Sequence, residues 1–349
     1  MEMNILYHLT VPPSARAECD AVVQEVRALQ AHFGGAIDHL YPGRAPGTRF
    51  PRRFWGMMRW PLLRWAERRA VIHHIYNPDP YPFAVLRGLQ RPVIYTISAG
   101  IQARDAANAR ELARRVRTLV VATEQDRARL RGWGIENVHV VRPGIDLTRF
   151  SPAPPPADLP PTLLMGSAPW TREQFRTKGV DALLALARRW PELHLVFLWR
   201  GILYEEMLRR VRASGLSDRV EIINERVDVS SVLARVHAAV ILTTEDALIK
   251  AYPHSLLEAL AAGRPVLVSR RVPISHDVQE AGCGIVLEDV KVASLARALR
   301  ALLADYEAYA RRAADLSATF SQQRLLAEYG AIYRAAHEVT GDTEGDANG

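Results

Sequence analysis

Short apolar segments alternate with helical patterns along most of the sequence, and this alternation restricts the possible folds more than any other feature. The strand-like segments are NILYHL, VIHHIY, PVIYTIS, TLVVAT and VHVVRP in the first half and TLLMGS, LHLVFLW, VEIINE, AAVILTT, RPVLVS and GIVLE in the second. The helical patterns lie at 14–32, 82–90, 105–116, 124–132, 179–189, 203–214, 229–236, 254–262 and 292–317. This order is typical of parallel sheets covered by helices, so an α/β fold is predicted.

The length of the chain and one proline-rich stretch predict its domains. A single core rarely serves 349 residues, so two domains are expected. Six of the eleven residues in SPAPPPADLPP are proline, which can neither donate to a sheet nor continue a helix. The predicted domains are therefore 1–150 and 162–318, joined by a stiff hinge at 151–161. A last amphipathic helix is predicted at 319–338, followed by a disordered polar tail at 339–349.

The cysteines and the first residues indicate the compartment. Cys19 and Cys283 are the only two cysteines, and they lie far apart in apolar-rich segments. This usage fits a reducing cytoplasm and excludes a disulfide scaffold or a zinc finger. The opening MEMNILYHLT lacks a basic region followed by a long apolar core, and no stretch approaches the roughly 18 uncharged residues of a spanning helix. We expect a cytoplasmic protein, with a peripheral position at the inner membrane face as the alternative.

Positive charge is concentrated in one segment. The formal net charge is +7, and residues 44–69 hold eight arginines against the single acid Glu67, so this segment alone carries the same excess. The stretch RFPRRFWGMMRWPLLRWAERRA interleaves the arginines with tryptophans. Both residue types suit a membrane interface, where indole rings lie at headgroup depth and cations meet acidic lipid. The residues predicted to form this membrane or acceptor surface are Arg52, Arg53, Trp55 and Trp60.

The same basic segment has two other interpretations. It would also suit a surface lid whose tryptophans pack inward and whose arginines are solvated. A helix here would place Trp55, Met58, Leu62 and Trp65 on one side, although Pro61 would break or bend such a helix. No nucleic-acid partner is expected, because no RNA- or DNA-binding module accompanies the basic residues.

The segment KAYPHSLLEALAAGRPVLVS, residues 250–269, predicts a turn, a short helix and a buried strand. Pro253 suits the first turn of the helix, and Gly263 suits its C-terminal stop. The amino end of this helix would face a cleft between the two domains and offer its N–H groups to an anion. Glu258 either closes a capping box with Ser255 as the N-cap or accepts hydrogen bonds from a ligand diol such as a ribose.

This block completes a longer pattern. VVRPGIDLTRFSP at 140–152, the proline-rich hinge, KGVDALLALARRWPELHLVFL at 178–198 and the block at 250–269 follow one another in this order. The chain thereby resembles the retaining nucleotide-sugar glycosyltransferases of family four over residues 119–335. The resemblance implies the GT-B fold, in which two Rossmann-like α/β domains face each other across a cleft. It also implies that the C-terminal domain holds the sugar nucleotide and that the last helix crosses back to the N-terminal domain.

The resemblance further implies a set of donor-binding residues. In the family, an arginine and a lysine six positions apart grip the donor diphosphate, and Arg172 and Lys178 have that spacing. Arg176 is a rival for the arginine role, and each cation would otherwise be a solvated loop residue. Glu258 matches the glutamate that binds the ribose in the family. The remaining residues assigned to the donor site are Gly166, Ser255 and His254, the last being interpretable also as a half-exposed turn histidine.

Lys250 departs from the family pattern. The family carries a second glutamate eight positions before the ribose-binding one, where it addresses the donor sugar, and Lys250 occupies that position. The lysine would pair with a carboxylate on an acidic donor sugar, or add a cation to the leaving diphosphate. The third alternative is a structural pairing with Asp246 or Glu245.

Two further departures lie in the first half. The glycine-rich turn that often follows the first strand of the family is replaced by LTVPPSARAE, and the family's histidine near the donor sugar is replaced by Ser98 in YTISAG. Serine does not act as a base at neutral pH unless another group activates it. Ser98 is nevertheless assigned to the acceptor side of the site. Two functions therefore stay open: an active retaining glycosyltransferase, or a sugar-nucleotide-binding protein that has lost the sugar-facing residues.

The sequence predicts no metal and no cofactor. No Asp-x-Asp occurs, so nothing points to a metal-bound diphosphate, and His73 and His74 are adjacent on a strand and point to opposite faces. The expected enzyme is therefore metal-independent, with the nucleotide-sugar as a substrate. An envelope, lipid-linked or small-molecule acceptor is expected, and an anionic membrane surface is a possible partner.

Overall fold

The computed structural model describes residues 3–10, 20–42, 50–154, 158–199, 201–245 and 250–345, with side chains up to 338. The chain divides into two compact units. The N-terminal unit comprises Met1–Gly144 and Gln322–Gly349, and the C-terminal unit comprises Ile145–Ser321.

The N-terminal unit is built on a six-stranded, fully parallel sheet of order β2-β1-β3-β4-β5-β6. Its strands are β1 (Ile5–Leu9), β2 (Ala36–His39), β3 (Ile72–Asn77), β4 (Val93–Ile97), β5 (Thr118–Val121) and β6 (Val138–Val140). Its first four helices are α1 (Ala21–Phe33), α2 (Trp60–Ala66), α3 (Ala106–Ala113) and α4 (Glu124–Gly132). The sequence predicts five of these strands and misses β2, because this edge strand is partly exposed and has no apolar run.

The C-terminal unit repeats the plan with a sheet of order β12-β11-β10-β7-β8-β9. Its strands are β7 (Thr162–Met165), β8 (His194–Leu198), β9 (Val220–Ile223), β10 (Ala238–Ile241), β11 (Val266–Ser269) and β12 (Gly284–Leu287). Its helices are α5 (Gln174–Thr177), α6 (Val180–Arg189), α7 (Tyr204–Ala213), α8 (Val229–Leu233), α9 (His254–Ala261), α10 (Ser275–Ala281), α11 (Val292–Ala304) and α12 (Tyr306–Ser317). The strand order reverses between β7 and β10, which are neighbours in the sheet. The predicted α/β fold of two parallel sheets is confirmed.

The last helix, α13 (Gln322–Gly345), belongs to the N-terminal unit. Tyr329 and Tyr333 are buried in the same core as Tyr7 and Tyr76, and the Tyr333 hydroxyl lies 2.6 Å from Nδ1 of His74 on β3. The predicted disorder of 339–349 is wrong up to Gly345, because the helix continues to that residue. Once a helix has formed, each added residue gains a hydrogen bond, so a polar composition alone does not end it.

The predicted hinge at 151–161 does not coincide with the boundary between the units. The boundary falls at Gly144 and Ile145, and the proline-rich stretch begins inside the C-terminal unit. Arg264 explains this placement: its guanidinium is buried and donates to the carbonyls of Ala153, Leu233 and Ala234. Proline has no N–H to donate, but the carbonyls of a proline-rich stretch can still accept hydrogen bonds.

Two predicted helices differ from the observed ones. The pattern at 292–317 forms two helices, because Asp305 has φ −126° and ψ 39°, outside the helical region. Pro61 does not break a helix but lies in the first turn of α2, where a missing N–H costs nothing.

Candidate functional site

The candidate site lies at the carboxyl ends of β7 and β10, where the strand order of the C-terminal sheet reverses. Open α/β sheets bind ligands at such points. Gly166 follows β7, and Ser255 lies in the first turn of α9, which follows β10. A Cβ atom on Gly166 would come within 2.5 Å of the Ser255 Cβ, so only glycine allows this approach. Two residues assigned to the donor site therefore meet.

Lys178 contacts the loop that follows Gly166. Its Nζ donates to Ser167 Oγ at 3.2 Å and to the Ala168 carbonyl at 3.3 Å. Ser167 is the direct neighbour of Gly166, so the ammonium group and the start of α9 converge on one short stretch of chain. The sequence contains only three lysines among its 45 basic residues, and two of them, Lys178 and Lys250, carry site assignments.

The backbone around Lys178 is fixed on both sides. Gly179 has φ +76°, and a Cβ there would lie 2.9 Å from the Cβ of Leu242 and 2.9 Å from Val290 Cγ1. The Thr177 carbonyl accepts a hydrogen bond of 2.9 Å from Thr244 N, beyond the end of β10. The backbone beside Lys178 is therefore held against the residues that follow β10.

The start of α9 differs from the predicted capping box. The helix begins at His254 with Pro253 as its N-cap, and no side chain caps it. The prediction of Ser255 as N-cap is wrong, because Pro253 takes that position and has no side-chain acceptor. Glu258 lies one turn into the helix and is only 9% exposed. The remaining interpretation of Glu258, as a ligand-facing acceptor, stays a prediction.

Lys250 is half-buried just before α9. The chain beyond it is held in place, because the Ala251 carbonyl accepts from Ile274 N at 3.2 Å and the Tyr252 hydroxyl donates to Asp277 at 3.3 Å. Asp246, one of its predicted partners, lies outside the described residues, and so does the rest of 246–249.

The two candidate arginines are exposed. Arg172 lies close enough to Glu206 on α7 to help lower the pKa of that carboxyl, after the larger effect of the hydrogen bond from Arg210. Arg176 is paired with Glu173 at 3.3 Å. Both arginines thus have an acidic neighbour, and the choice between them for contact with a ligand stays open.

Two residues beside this edge of the sheet were not predicted. Trp170, in the loop between Gly166 and Lys178, is 64% exposed. Leu203, after β8, is the one described non-glycine residue with positive φ, at 55°. Unusual backbone angles in bulky residues concentrate at functional sites. The tryptophan was visible in the sequence, whereas the angle of Leu203 has no sequence signal.

In the N-terminal unit, Ser98 follows β4 and donates its backbone N–H to the Asn77 carbonyl at 2.9 Å. Asn77 itself ends β3 and is buried together with Thr10, which donates to the Tyr76 carbonyl at 3.0 Å. Ser98 thus lies at the carboxyl edge of this sheet, beside other polar residues. The residues 11–19 of the predicted first turn are outside the described part of the chain.

The residues predicted for the membrane surface point mostly inward. Arg52 binds both carboxylate oxygens of Asp79. Trp55 is half-buried and packs edge-on against Tyr41, with ring centroids 4.9 Å apart. The Trp60 ring packs so closely on Gly88 that no larger residue would fit there. Of the four predicted residues, only Arg53 is exposed.

The structure places the two strand histidines in separate buried networks. His73 lies 2.8 Å from His8 and 3.0 Å from Glu67, whereas His74 contacts Tyr333 and Thr96. Among the described residues, no group of three or more histidine, cysteine or acidic side chains could hold a metal ion. No helix in the described ranges is long and apolar enough to cross a bilayer.

Comparison with known proteins agrees with this geometry. Residues 172–315 match the family model described as glycosyl transferases group 1. Sucrose-phosphate synthase from Thermosynechococcus elongatus superposes with a TM-score of 0.73 at 16% identity, covering 96% of this chain and 100% of that one. WaaG, a glycosyltransferase involved in lipopolysaccharide biosynthesis, gives 0.67 at 18% identity and covers 94% and 99%.

A third similar structure was solved with a ligand. HepE of Anabaena in complex with UDP-glucose superposes with a TM-score of 0.70 at 13% identity, covering 96% of this chain and 100% of that one. No curated protein matches the sequence. The chain therefore has the two-domain α/β fold of these glycosyltransferase structures, and its residues 172–315 match the model of glycosyl transferases group 1.

Proposed function

We propose that this protein transfers a sugar from a nucleotide-sugar donor, with retention of configuration and without a metal ion. The observation that carries the proposal is the approach of Gly166 to Ser255, which brings the start of α9 next to the loop that Lys178 contacts. The family segment contains every proposed diphosphate contact. The UDP-glucose complex of HepE supports a nucleotide-sugar as the donor.

Each of the proposed residues has its own role in binding the donor and stabilising the leaving diphosphate. Lys178 and Arg172 place positive charge against the diphosphate, and the amino end of α9 adds N–H donors and the positive end of its dipole. Charge builds up on the diphosphate as the glycosidic bond breaks, so fixed donors lower the barrier most at that stage. Glu258 holds the ribose hydroxyls, and Ser255 and His254 line the entry to α9.

The acceptor side belongs to the N-terminal unit in this proposal. Ser98 lies there, at the carboxyl edge of the sheet. We propose an envelope, lipid-linked or small-molecule acceptor, and a cytoplasmic enzyme that works in solution or at the inner face of a membrane.

A second function is favoured by two residues. Lys250 and Ser98 occupy positions where the family resemblance implies glutamate and histidine. A protein that binds sugar nucleotides without transferring the sugar would tolerate both changes. Donor turnover, and not donor binding, separates this alternative from the transferase.

The test is a panel of uridine and guanosine sugar nucleotides. Donors are first ranked by the rise in melting temperature, since binding to the native state stabilises it. Release of nucleoside diphosphate is then measured for the best donors, and the anomeric proton coupling of the product is read by NMR. Retained configuration supports the proposal, an inverted product contradicts the retaining mechanism, and binding without release supports the second function.

A further inference from the structure

Three arginines in the described part of the basic segment, residues 50–69, are paired with acids. Arg52 binds Asp79, Arg59 binds Asp38 and Arg64 binds Glu67 through Nη1 at 2.9 Å. Asp38 lies on β2 and Asp79 follows β3, whereas Glu67 belongs to the segment itself. Arg52 and Arg59 therefore attach the segment to the sheet, and the charges of all three arginines are balanced by these pairs.

Glu67 is the strongest of these anchors. Burial alone would raise the pKa of Glu67, but hydrogen bonds from His73 and from the backbone N–H groups of Gln90 and Arg91 outweigh it and bring the pKa to about 2. The only acid of the segment is therefore buried, charged and fully engaged.

The outer side of the same segment is apolar. Of the seven large hydrophobic side chains that are exposed in the described part of the chain, five lie between residues 54 and 65. They are Phe54, Met57, Met58, Leu62 and Trp65. Met58 is 76% exposed, Leu62 61% and Trp65 58%. We call these five residues the apolar face. Contiguous exposed apolar side chains of this kind mark a binding surface.

Three further arginines border the apolar face. Arg53, Arg68 and Arg69 are exposed. The Arg53 guanidinium lies 4.6 Å from the centre of the Phe54 ring, and that of Arg69 lies 5.4 Å from Trp65. Arginine next to exposed aromatic rings, in a described segment (50–69) whose one acid, Glu67, is buried, matches the boundary between acidic headgroups and acyl chains.

We propose that the apolar face and its three bordering arginines dock this protein onto an anionic lipid bilayer. Met58, Leu62 and Trp65 enter the acyl boundary, and Arg53, Arg68 and Arg69 contact the headgroups. Trp55 and Trp60 are half-buried and pack against the core beneath the segment. The inference does not rest on donor binding, so the two proposals fail separately.

The test is vesicle flotation of the full chain at low salt. Vesicles of phosphatidylcholine alone are compared with an equal mixture of phosphatidylcholine and phosphatidylglycerol. Binding is expected to the mixture only, and salt is expected to weaken it. Changing Arg53, Arg68 and Arg69 to Gln lowers the partition coefficient about fivefold for each arginine removed. The combined change Met58→Ser, Leu62→Ser and Trp65→Ser lowers it at least about tenfold.

The flotation test has a control variant with other arginines changed, and light scattering measures whether the protein forms a dimer in solution. Arg209→Gln with Arg311→Gln removes two exposed arginines of the C-terminal unit and leaves flotation unchanged. Unaltered flotation in the apolar or the arginine variant overturns the proposal, and so does equal binding to both vesicle types. A dimer in solution that the apolar variant abolishes would assign the face to a second copy instead.

Discussion

Gly166 and Ser255 approach each other so closely that a single methyl group on the glycine would overlap the serine Cβ, at 2.5 Å. Gly166 follows β7 and Ser255 lies in the first turn of α9, which follows the neighbouring strand β10, so their contact sets how far the start of α9 lies from the loop that carries Ser167. This distance decides whether the helix end and the Lys178 ammonium act on one ligand.

The first prediction follows from that contact. Gly166→Ala forces either the loop or the first turn of α9 to move, because the Ser255 Cβ is one bond from the backbone and cannot rotate away. We expect nucleoside diphosphate affinity to fall about tenfold to a hundredfold. Ser255→Gly in the same chain removes the overlapping atom and restores most of the affinity. Calorimetric titration of the single and double variants checks both effects, and an unaffected Gly166→Ala would remove the contact from the binding site.

The second prediction concerns Glu258, which is buried in α9 without serving as a cap partner of Ser255. If it holds the ribose diol, Glu258→Ala leaves ligand hydroxyls unpaired and costs roughly 1 to 3 kcal/mol in nucleotide binding. The melting temperature of the free protein changes little. Glu280→Ala, at an exposed glutamate, is the matched control. A lower melting temperature with full nucleotide affinity would show a purely structural role.

The third prediction distinguishes the roles proposed for Lys250. Lys250→Glu is titrated with UDP-glucose and UDP-glucuronate, with Lys291→Glu, at an exposed lysine, as the control. Loss of the acidic donor alone indicates a pairing with the sugar carboxylate, worth roughly 1 to 4 kcal/mol at ~4 Å. Equal loss of both donors and of free UDP indicates a contact to the diphosphate. Unchanged affinities would mean that Lys250 contacts no part of the donor.

The sequence predicted what depends on local pattern. Buried parallel strands such as β11 are recognisable in the sequence as short apolar runs, whereas the roles of Arg172 and Lys178 came from the family resemblance and stay predictions. Contacts between residues that are distant in sequence could not be predicted in this way, and Arg264 is an example. Nothing near GRPVLVS indicates that its guanidinium is buried and donates to the carbonyl of Ala153, more than a hundred positions away. The inward orientation of Trp60 likewise depends on Gly88, a tertiary contact that no periodicity encodes.

The fourth prediction concerns pH. His74 is buried between Tyr333 and Thr96, and burial lowers its pKa from 6.5 to about 3. Between these two pKa values His74 is protonated in the unfolded chain and neutral in the folded chain. The free energy of unfolding therefore falls as the pH drops from about 6.5 toward 3, by up to about 1.4 kcal/mol per pH unit. His8 acts in the same direction, because burial also lowers its pKa.

Urea unfolding between pH 7 and pH 5 measures the effect of the buried histidines without that of Glu67, because Glu67 begins to lose its contribution only below its unfolded pKa of about 4.5. His74→Gln reduces the slope of stability against pH, and His276→Gln, at an exposed histidine, leaves it unchanged. A slope that His74→Gln does not alter would show that this residue takes up its proton equally in the native and the unfolded state, which contradicts the lowered pKa.

The central claim, that Lys178 and the start of α9 form a diphosphate site, is tested most directly by calorimetric titration of UDP and GDP into three proteins. These are the wild type, Lys178→Met and Lys291→Met, which remove one lysine each at nearly constant side-chain length. The account predicts that the wild type and Lys291→Met bind at least one of the two nucleotides with equal affinity, and that Lys178→Met binds it about tenfold or more weakly, as expected for a lost charge-assisted hydrogen bond. Equal affinity in all three proteins, or no binding of either nucleotide to the wild type, would contradict it.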